Sequence, residues 1–205
     1  MKVLKSIVAA GAFMLSAATA AQAALVTIDF ESDVLGLQGG SFISASSPIV
    51  TFSASGIRVA NAAAQSANTI GLWAEGDSAG LNLTFSTFVN SLSMDFGNDD
   101  PGFSEDRAIL TVFNNSVQVG QTQLIYNKND TMDENISISG LGQFDSAYLI
   151  FATGSGSSTS FLTEIVDNVT FNTSVSAVPL PPSAILFGTA LLGMAGLRRR
   201  KRKAA

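Results

Sequence analysis

The middle of the chain is built from short runs in which apolar and polar residues alternate. In the run from Ser91 to Phe96, Leu92 and Met94 alternate with polar neighbours. A period of two predicts a β-strand with one buried face. Runs rich in Val, Ile, Thr and Phe predict strands at Leu25–Phe30, Ile49–Ser53, Ile57–Ala60, Leu81–Phe85, Val89–Phe96, Ala108–Phe113, Ser116–Val119, Gln123–Tyr126, Asn135–Ser139, Ala147–Ala152 and Glu164–Phe171.

Glycine, asparagine, aspartate and serine separate these runs, and few segments have the periodicity of a helix. Asn114-Asn115 is predicted to form a tight hairpin turn between two of the strands. Many short antiparallel strands favour an all-β fold, an antiparallel β-sandwich of jelly-roll type. We assign this domain to residues 24–172 and a short linker to 173–177.

The first 23 residues have the pattern of a signal peptide. Lys2 and Lys5 precede an apolar run from Ser6 to Ala18, and Ala21-Gln22-Ala23 provides small residues at a cleavage site. This order is typical of secretory signals, and the apolar run is short for a membrane-spanning helix. The mature chain is therefore expected to start at Ala24, after cleavage by signal peptidase and outside the inner membrane.

The last 28 residues, 178–205, form a second targeting pattern. An apolar segment, Ser183 to Leu197, is predicted to be a transmembrane helix, and a basic cluster follows it. At about 1.5 Å per residue the segment reaches roughly 22 Å, which is short for a hydrocarbon core of about 30 Å. The basic cluster is expected to stop transfer on the cytoplasmic side; it consists of Arg198, Arg199, Arg200, Lys201, Arg202 and Lys203.

This tail resembles a PEP-CTERM sorting signal in the order of its three parts. The motif positions are Val178, Pro179, Leu180 and Pro181, and the glutamate usual between the prolines is replaced by Leu180. The resemblance implies a secreted protein of a Gram-negative bacterium that makes exopolysaccharide. It also implies an exosortase that removes the tail, so that association with the inner membrane is transient.

Two other interpretations of the tail stay open. The stretch Leu180 to Ala184 loosely resembles the Leu-Pro-x-Thr-Gly signal of sortases, with two of its positions substituted. Alternatively, the apolar segment is an uncleaved anchor that spans with local thinning of the bilayer.

The charge of the predicted domain differs from that of the whole chain. Of the 11 Lys and Arg residues, only Arg58, Arg107 and Lys128 lie outside the two targeting segments, whereas all 16 Asp and Glu lie between them. Three basic against 16 acidic residues give the domain a net charge of −13, compared with −5 for the whole chain. Such a surface repels nucleic acid and favours divalent cations, although acidity alone also keeps an exported protein soluble.

The chain contains neither cysteine nor histidine. Disulfides therefore cannot stabilise the domain, and catalysis by Ser-His-Asp or Cys-His groups is excluded. The most common zinc ligand is absent as well. We also find no Glu-x-Asp-x-x-Glu strand motif of the jelly-roll glucanases, so the sequence predicts that the protein is not an enzyme.

Acidic residues near the two ends of the domain form a candidate metal site. The first strand contains Asp29 and is followed by Glu31, and the last contains Asp167. First and last strands often pair in jelly rolls, so these three carboxylates are expected to meet. The opening Asp29-Phe30-Glu31 and the closing stretch Ile165 to Phe171 resemble those of domains that precede PEP-CTERM tails. They also resemble carbohydrate-binding jelly rolls in which matching acids hold a structural calcium, and this resemblance implies calcium here. Alternatively, Asp167 only turns the strand and Asp29 faces solvent.

Two further features are candidates for ligand binding. Trp73 lies beside a predicted turn and is a candidate for stacking on a sugar. The acidic stretch 98–106 is predicted to be a solvated loop, and its spacing does not match an EF-hand. The alternative is that this loop binds calcium or a sugar.

Together these patterns predict a secreted or surface-displayed, non-catalytic protein of the exopolysaccharide matrix, with a structural or glycan-binding role. The alternatives are a carboxylate-based polysaccharide hydrolase or lyase, or an adhesin that is anchored by sortase or by an uncleaved helix.

Overall fold

A computed structural model of the protein describes residues 23–61, 70–74, 80–97, 105–127, 131–154 and 164–174. These residues form strands and no helix, so the all-β prediction is confirmed. The strands are β1 (Leu25–Ile28), β2 (Gly36–Phe42), β3 (Val50–Asn61), β4 (Ile70–Ala74), β5 (Leu81–Gly97), β6 (Arg107–Asn114), β7 (Val117–Ile125), β8 (Glu134–Ala152) and β9 (Ile165–Thr173).

All pairings between these strands are antiparallel, and they join the strands into one sheet. The order along the sheet is β1-β9-β4-β3-β5-β8-β6-β7, with β2 paired to β3 and a further pairing between β9 and β5. The antiparallel prediction is therefore confirmed.

Strand β5 changes its partner halfway along its length. Its first half pairs with β3 from Asn82 to Phe85, and its second half pairs with β9 from Val89 onwards. Strand β8 accompanies it on the other edge along both halves. The register of β5 against β8 shifts between Thr84 and Val89 and again between Val89 and Ser91. At this second shift β8 passes through Gly140 and Gly142, with φ angles of 76° and 85°. Glycine tolerates this left-handed conformation, so both strands can bend there.

Aromatic side chains join the two halves of the bent sheet. The ring centroids of Phe85, in the first half of β5, and Phe171, in β9, are 5.1 Å apart. Those of Phe96, in the second half of β5, and Phe151, near the end of β8, are 5.6 Å apart. The inner faces of the two halves therefore share one hydrophobic core, an arrangement consistent with a β-sandwich.

The alternation along the strands determines which side chains enter this core. Leu92, Met94 and Phe96 are buried, while the residues between them lie on the outer face, as predicted. Full burial of such a side chain contributes about 1.5–3 kcal/mol, and no disulfide is present to supplement it. The bulkiest fully buried side chains are Phe30, Phe52, Phe96, Phe144 and Phe171.

The strand boundaries differ from the predicted ones in three ways. Strand β2 was not predicted because its three glycines interrupt the alternation of apolar and polar residues. Strand β4 was not predicted because it is a short apolar run without alternation. Four pairs of predicted strands are single strands, β3, β5, β7 and β8, because bulges and bends do not end their pairing. The hairpin turn lies at Asn115 and Ser116, one residue later than predicted, and both have positive φ, as in type I′ turns.

The targeting segments lie outside the described residues. These are the signal peptide 1–23, apart from its last residue, and the tail 178–205 with its motif and basic cluster. Strand β9 extends to Thr173, the first residue of the predicted linker. Within the described ranges, there is no helix with the length and apolar character needed to cross a bilayer.

Candidate functional site

The first and last strands of the domain pair directly, as the metal-site prediction requires. Strand β1 is antiparallel to β9, and the last pair in their register is Ile28 with Val169. Asp29 follows that pair immediately, at the level where β9 contains Asp167 and Asn168. The structure therefore brings the Asp29 and Asp167 segments together at one end of the β1–β9 pair.

The carboxylates of Asp29 and Glu31 have local structural partners. Oδ1 of Asp29 accepts a hydrogen bond of 3.3 Å from the backbone N–H of Glu31. Oε1 of Glu31 in turn accepts one of 3.0 Å from the N–H of Ile70, the first residue of β4. Between them, Phe30 is fully buried with a φ of 56°. Glu31 thus ties the turn after β1 to the start of β4.

Asp167 lies opposite a second carboxylate that was not predicted to belong to the site. It is buried and is the register partner of Asp95 on β5. Asp95 is also the register partner of Asn135 on β8. We call Asp95, Asn135, Asp167 and Asn168 the Asp/Asn row, because they lie side by side across three strands.

Side-chain amides connect the carboxylates of the Asp/Asn row. Nδ2 of Asn168 donates to Oδ2 of Asp95 at 3.0 Å and to Oδ2 of Asp167 at 3.5 Å. Nδ2 of Asn135 donates to Oδ1 of Asp95 at 2.7 Å. Because like charges directly opposite each other destabilise a sheet, these donors offset the repulsion between the two aspartates.

A β-bulge explains how Asn168 reaches both aspartates. The register of β5 against β9 shifts between Ser93 and Asp95, and Asn168 has a φ of 48°. Most residues other than glycine avoid this left-handed backbone conformation, but asparagine adopts it readily. Its own N–H donates to Oδ1 of Asp167 at 2.6 Å. The bulge therefore orients the side-chain amide of Asn168 toward the carboxylates of Asp95 and Asp167.

A row of hydroxyl groups runs beside the Asp/Asn row on the same sheet. Thr27 is the register partner of Thr170, which pairs with Ser93, and Ser93 pairs with Ser137. We call these four residues the hydroxyl row. The hydroxyl oxygens of Thr27 and Thr170 are 3.0 Å apart, and Asn135 donates to the Ser93 hydroxyl at 3.2 Å. Neighbouring strands lie about 4.8 Å apart, so the row is a regular array of donors and acceptors.

The two rows together offer oxygen atoms of several kinds, from carboxylates, amides and hydroxyls. Such oxygens hydrogen-bond sugar hydroxyls and are the ligands that calcium prefers. The described residues nevertheless contain no group of three or more acidic side chains arranged to hold a metal ion. Calcium at Asp29, Glu31 and Asp167 stays a prediction.

Trp73 lies in strand β4, one residue before the strand ends at Ala74. In β4 it pairs with Arg58 of β3 on one side and with Ile165 of β9 on the other. The side chain is half-buried, and its Nε1 is buried without a hydrogen-bond partner among the described residues. Ile165, the β9 partner of Trp73, lies two residues before Asp167 of the Asp/Asn row, and the role of Trp73 as a ligand-binding residue stays a prediction.

The acidic stretch 98–106 is described only from Glu105. Asp106 is buried, and the backbone carbonyl oxygen of Asp106 accepts the N–H of Tyr126 at 2.9 Å. The exposed carboxylate of Glu105 lies 3.9 Å from the partly buried guanidinium of Arg107, and an ion pair with an exposed partner contributes little to stability. This stretch shares no described contact with the Asp/Asn row.

The sequence prediction missed Asp95 and Asn135 of the Asp/Asn row, and it missed the whole hydroxyl row. The alternation of β5 places Asp95 on the polar face, and the alternation of β8 does the same for Asn135. Asp95 and Asp167 are more than 70 positions apart in the chain, and only the pairing of β5 with β9 brings them together.

Comparison with known proteins leaves the family of the chain open. No family model matches the chain, and no curated protein matches it. Three chains of solved structures match it. One is a DUF4465 family protein from Bacteroides caccae ATCC 43185; it is 9% identical, with a TM-score of 0.44, and the match covers 74% of this chain and 100% of that chain. A likeness at this level assigns no function to the chain.

Proposed function

We propose that the protein is an exported, non-catalytic β-sandwich of jelly-roll type that binds polysaccharide in the matrix around a Gram-negative cell. The observation that carries this proposal is the polar outer face shared by β1, β9, β5 and β8. On this face the hydroxyl row lies beside the Asp/Asn row.

The chemistry of this face suits a neutral polysaccharide. Hydroxyl and amide groups can both donate to and accept from sugar hydroxyls, and the two rows contain no basic residue that would favour an anionic polymer. Strand β5 is paired on both edges here, so the array is held rigid. A preorganised array loses less entropy when it binds.

The proposed route to this location depends on the two ends of the chain. Signal peptidase removes residues 1–23, and an exosortase then acts at the motif Val178 to Pro181 while the apolar segment holds the protein in the inner membrane. The excess of acidic residues in the domain supports an extracellular role rather than binding to nucleic acid.

Calcium is proposed as a structural ion of the domain. The prediction names Asp29, Glu31 and Asp167, and the pairing of β5 with β9 places Asp95 beside Asp167. Two or three carboxylates with backbone oxygens suffice for calcium, and binding would relieve the repulsion between the paired aspartates.

Retention of the protein by gelled neutral polysaccharides tests the binding proposal. We expect Ser137→Arg, which puts a bulky charge in the hydroxyl row, to weaken retention about tenfold, or about 1.4 kcal/mol. The matched control is Asn82→Arg, an exposed position on the outer face of the first half of β5, which should leave retention unchanged. If Ser137→Arg and Asn82→Arg were retained equally, the hydroxyl row would not be part of the binding site. Release of soluble sugar from the polysaccharide would instead identify a hydrolase or lyase.

Thermal unfolding with calcium and with a chelator tests the metal proposal. At a calcium concentration 100 times the Kd, binding stabilises the folded state by about 2.7 kcal/mol, which raises Tm by about 5–10 °C. Asp29→Asn keeps the size of the exposed side chain and should lose most of this rise, whereas Asp145→Asn on β8 should keep it. A Tm of the natural chain that does not respond to calcium would remove the ion from the account.

The mass of the mature protein tests the sorting proposal. We expect the chain recovered from the cell surface or the medium of its producing cells to begin at Ala24 and to end near Val178. The stretch Leu180 to Ala184 lacks the Thr-Gly bond of the Leu-Pro-x-Thr-Gly signal. A product joined to a cell-wall peptide would therefore point to a sortase-type enzyme of different specificity. A cell-associated chain with Arg198–Lys203 intact would show an uncleaved anchor.

A further inference from the structure

Strand β7 ends the sheet, and its outer edge faces no other described strand. It contains nine residues, Val117–Ile125, and pairs with β6 alone. After one register shift near its start, the pairs from Val112–Gly120 to Arg107–Ile125 are regular. An edge of this kind presents a row of backbone N–H and C=O groups that can pair with another strand.

This edge lacks the features that usually protect an edge strand. Between positions 107 and 126 the sequence contains one charged residue, Arg107, and no proline. The other two edges are protected in familiar ways: β1 has only four residues, and β2 contains three glycines and two register shifts. Short strands and bulges prevent edge-to-edge pairing, whereas β7 is long and uncharged.

We propose that β7 pairs antiparallel with β7 of a second copy of this chain, with the two-fold axis at Gln123. A second copy is favoured by charge, because two domains of net charge −13 can approach closely only through a surface without acidic groups. The strand β7 and its neighbour β6 contain none. The sheet then continues from one copy into the other.

The exposed residues of β7 suit this symmetry. Gln121, Gln123 and Ile125 are exposed and alternate along the regular part of the strand, with Ile125 55% exposed. A two-fold axis at Gln123 places Gln121 of each copy opposite Ile125 of the other. Oε1 of Gln123 accepts a hydrogen bond of 3.3 Å from Arg107 of its own chain. Nε2 and the second lone pair of Oε1 can still bond to Gln123 of the other copy, which two carboxylates or two ammonium groups cannot do.

Cysteine cross-linking tests this pairing cleanly, because the natural chain contains no cysteine. Directly opposite residues of an antiparallel pair have Cα atoms about 4.5–5.5 Å apart, within the range of a disulfide. We expect exported Gln123→Cys protein to form a covalent dimer under mild oxidation. Gln121→Cys and Ile125→Cys should cross-link when mixed and hardly at all alone, since each then lies about 14 Å from its own copy. Ser137→Cys, exposed on β8, is the control.

Charge substitutions at the same position give a second readout by light scattering. Gln123→Lys should raise the Kd of the dimer at least tenfold through repulsion across the axis, and Ser137→Lys should not change it. Mixing Gln123→Lys with Gln123→Glu should restore the dimer. The proposal is overturned if Gln123→Cys cross-links no faster than Ser137→Cys, if it cross-links to a different polypeptide, or if the natural chain stays monomeric up to millimolar concentration.

Discussion

The change of partner along β5 is the constraint on which the rest of the structure depends. Because β5 pairs with β3 in its first half and with β9 in its second, one strand belongs to both halves of the sheet. The bend between Thr84 and Val89 turns the inner faces toward each other, and Phe85 and Phe96 then reach aromatic partners across the core. Without disulfides, this packing supplies most of the stability.

The same change of partner creates the polar outer face. It places β5 between β9 and β8, so that Asp95 lies between Asp167 and Asn135. The bulge at Asn168 makes this arrangement tolerable, since its amide donates to both aspartates. The site and the core therefore have one structural cause, and the β7 edge lies two strands beyond β8, the last strand of this face. In a β7-linked dimer two such faces would act together, which strengthens binding without any new contact.

Much of the fold follows from local patterns in the sequence. Alternation of apolar and polar residues identifies the buried face of β5, and it places Ser91, Ser93 and Asp95 on the outside. It fails for β2, where Gly39 and Gly40 carry no pattern, and for β4, which is short and flanked by small residues. It also divides β5 and β8 at their bends, because a bend interrupts alternation without ending the pairing.

The site was harder to predict, because it depends on pairing between distant strands. The pairing of the first and last strands was expected and brings Asp29 near Asp167. Asp95 joins them only because β5 pairs with β9, and no local sequence pattern predicts that pairing. Glu31 was expected to serve the same site, yet its carboxylate is bonded to the start of β4, a strand that was not predicted.

Binding of polysaccharide to the outer face of β9, β5 and β8 is the central claim, and amide chemical shifts test it most directly. Soluble fragments of a retained polysaccharide would be titrated into the isotope-labelled protein. The account predicts the largest shifts at residues 91–95, 135–139 and 168–172. Shifts concentrated at residues 107–125, or no shifts at saturating ligand, would contradict it.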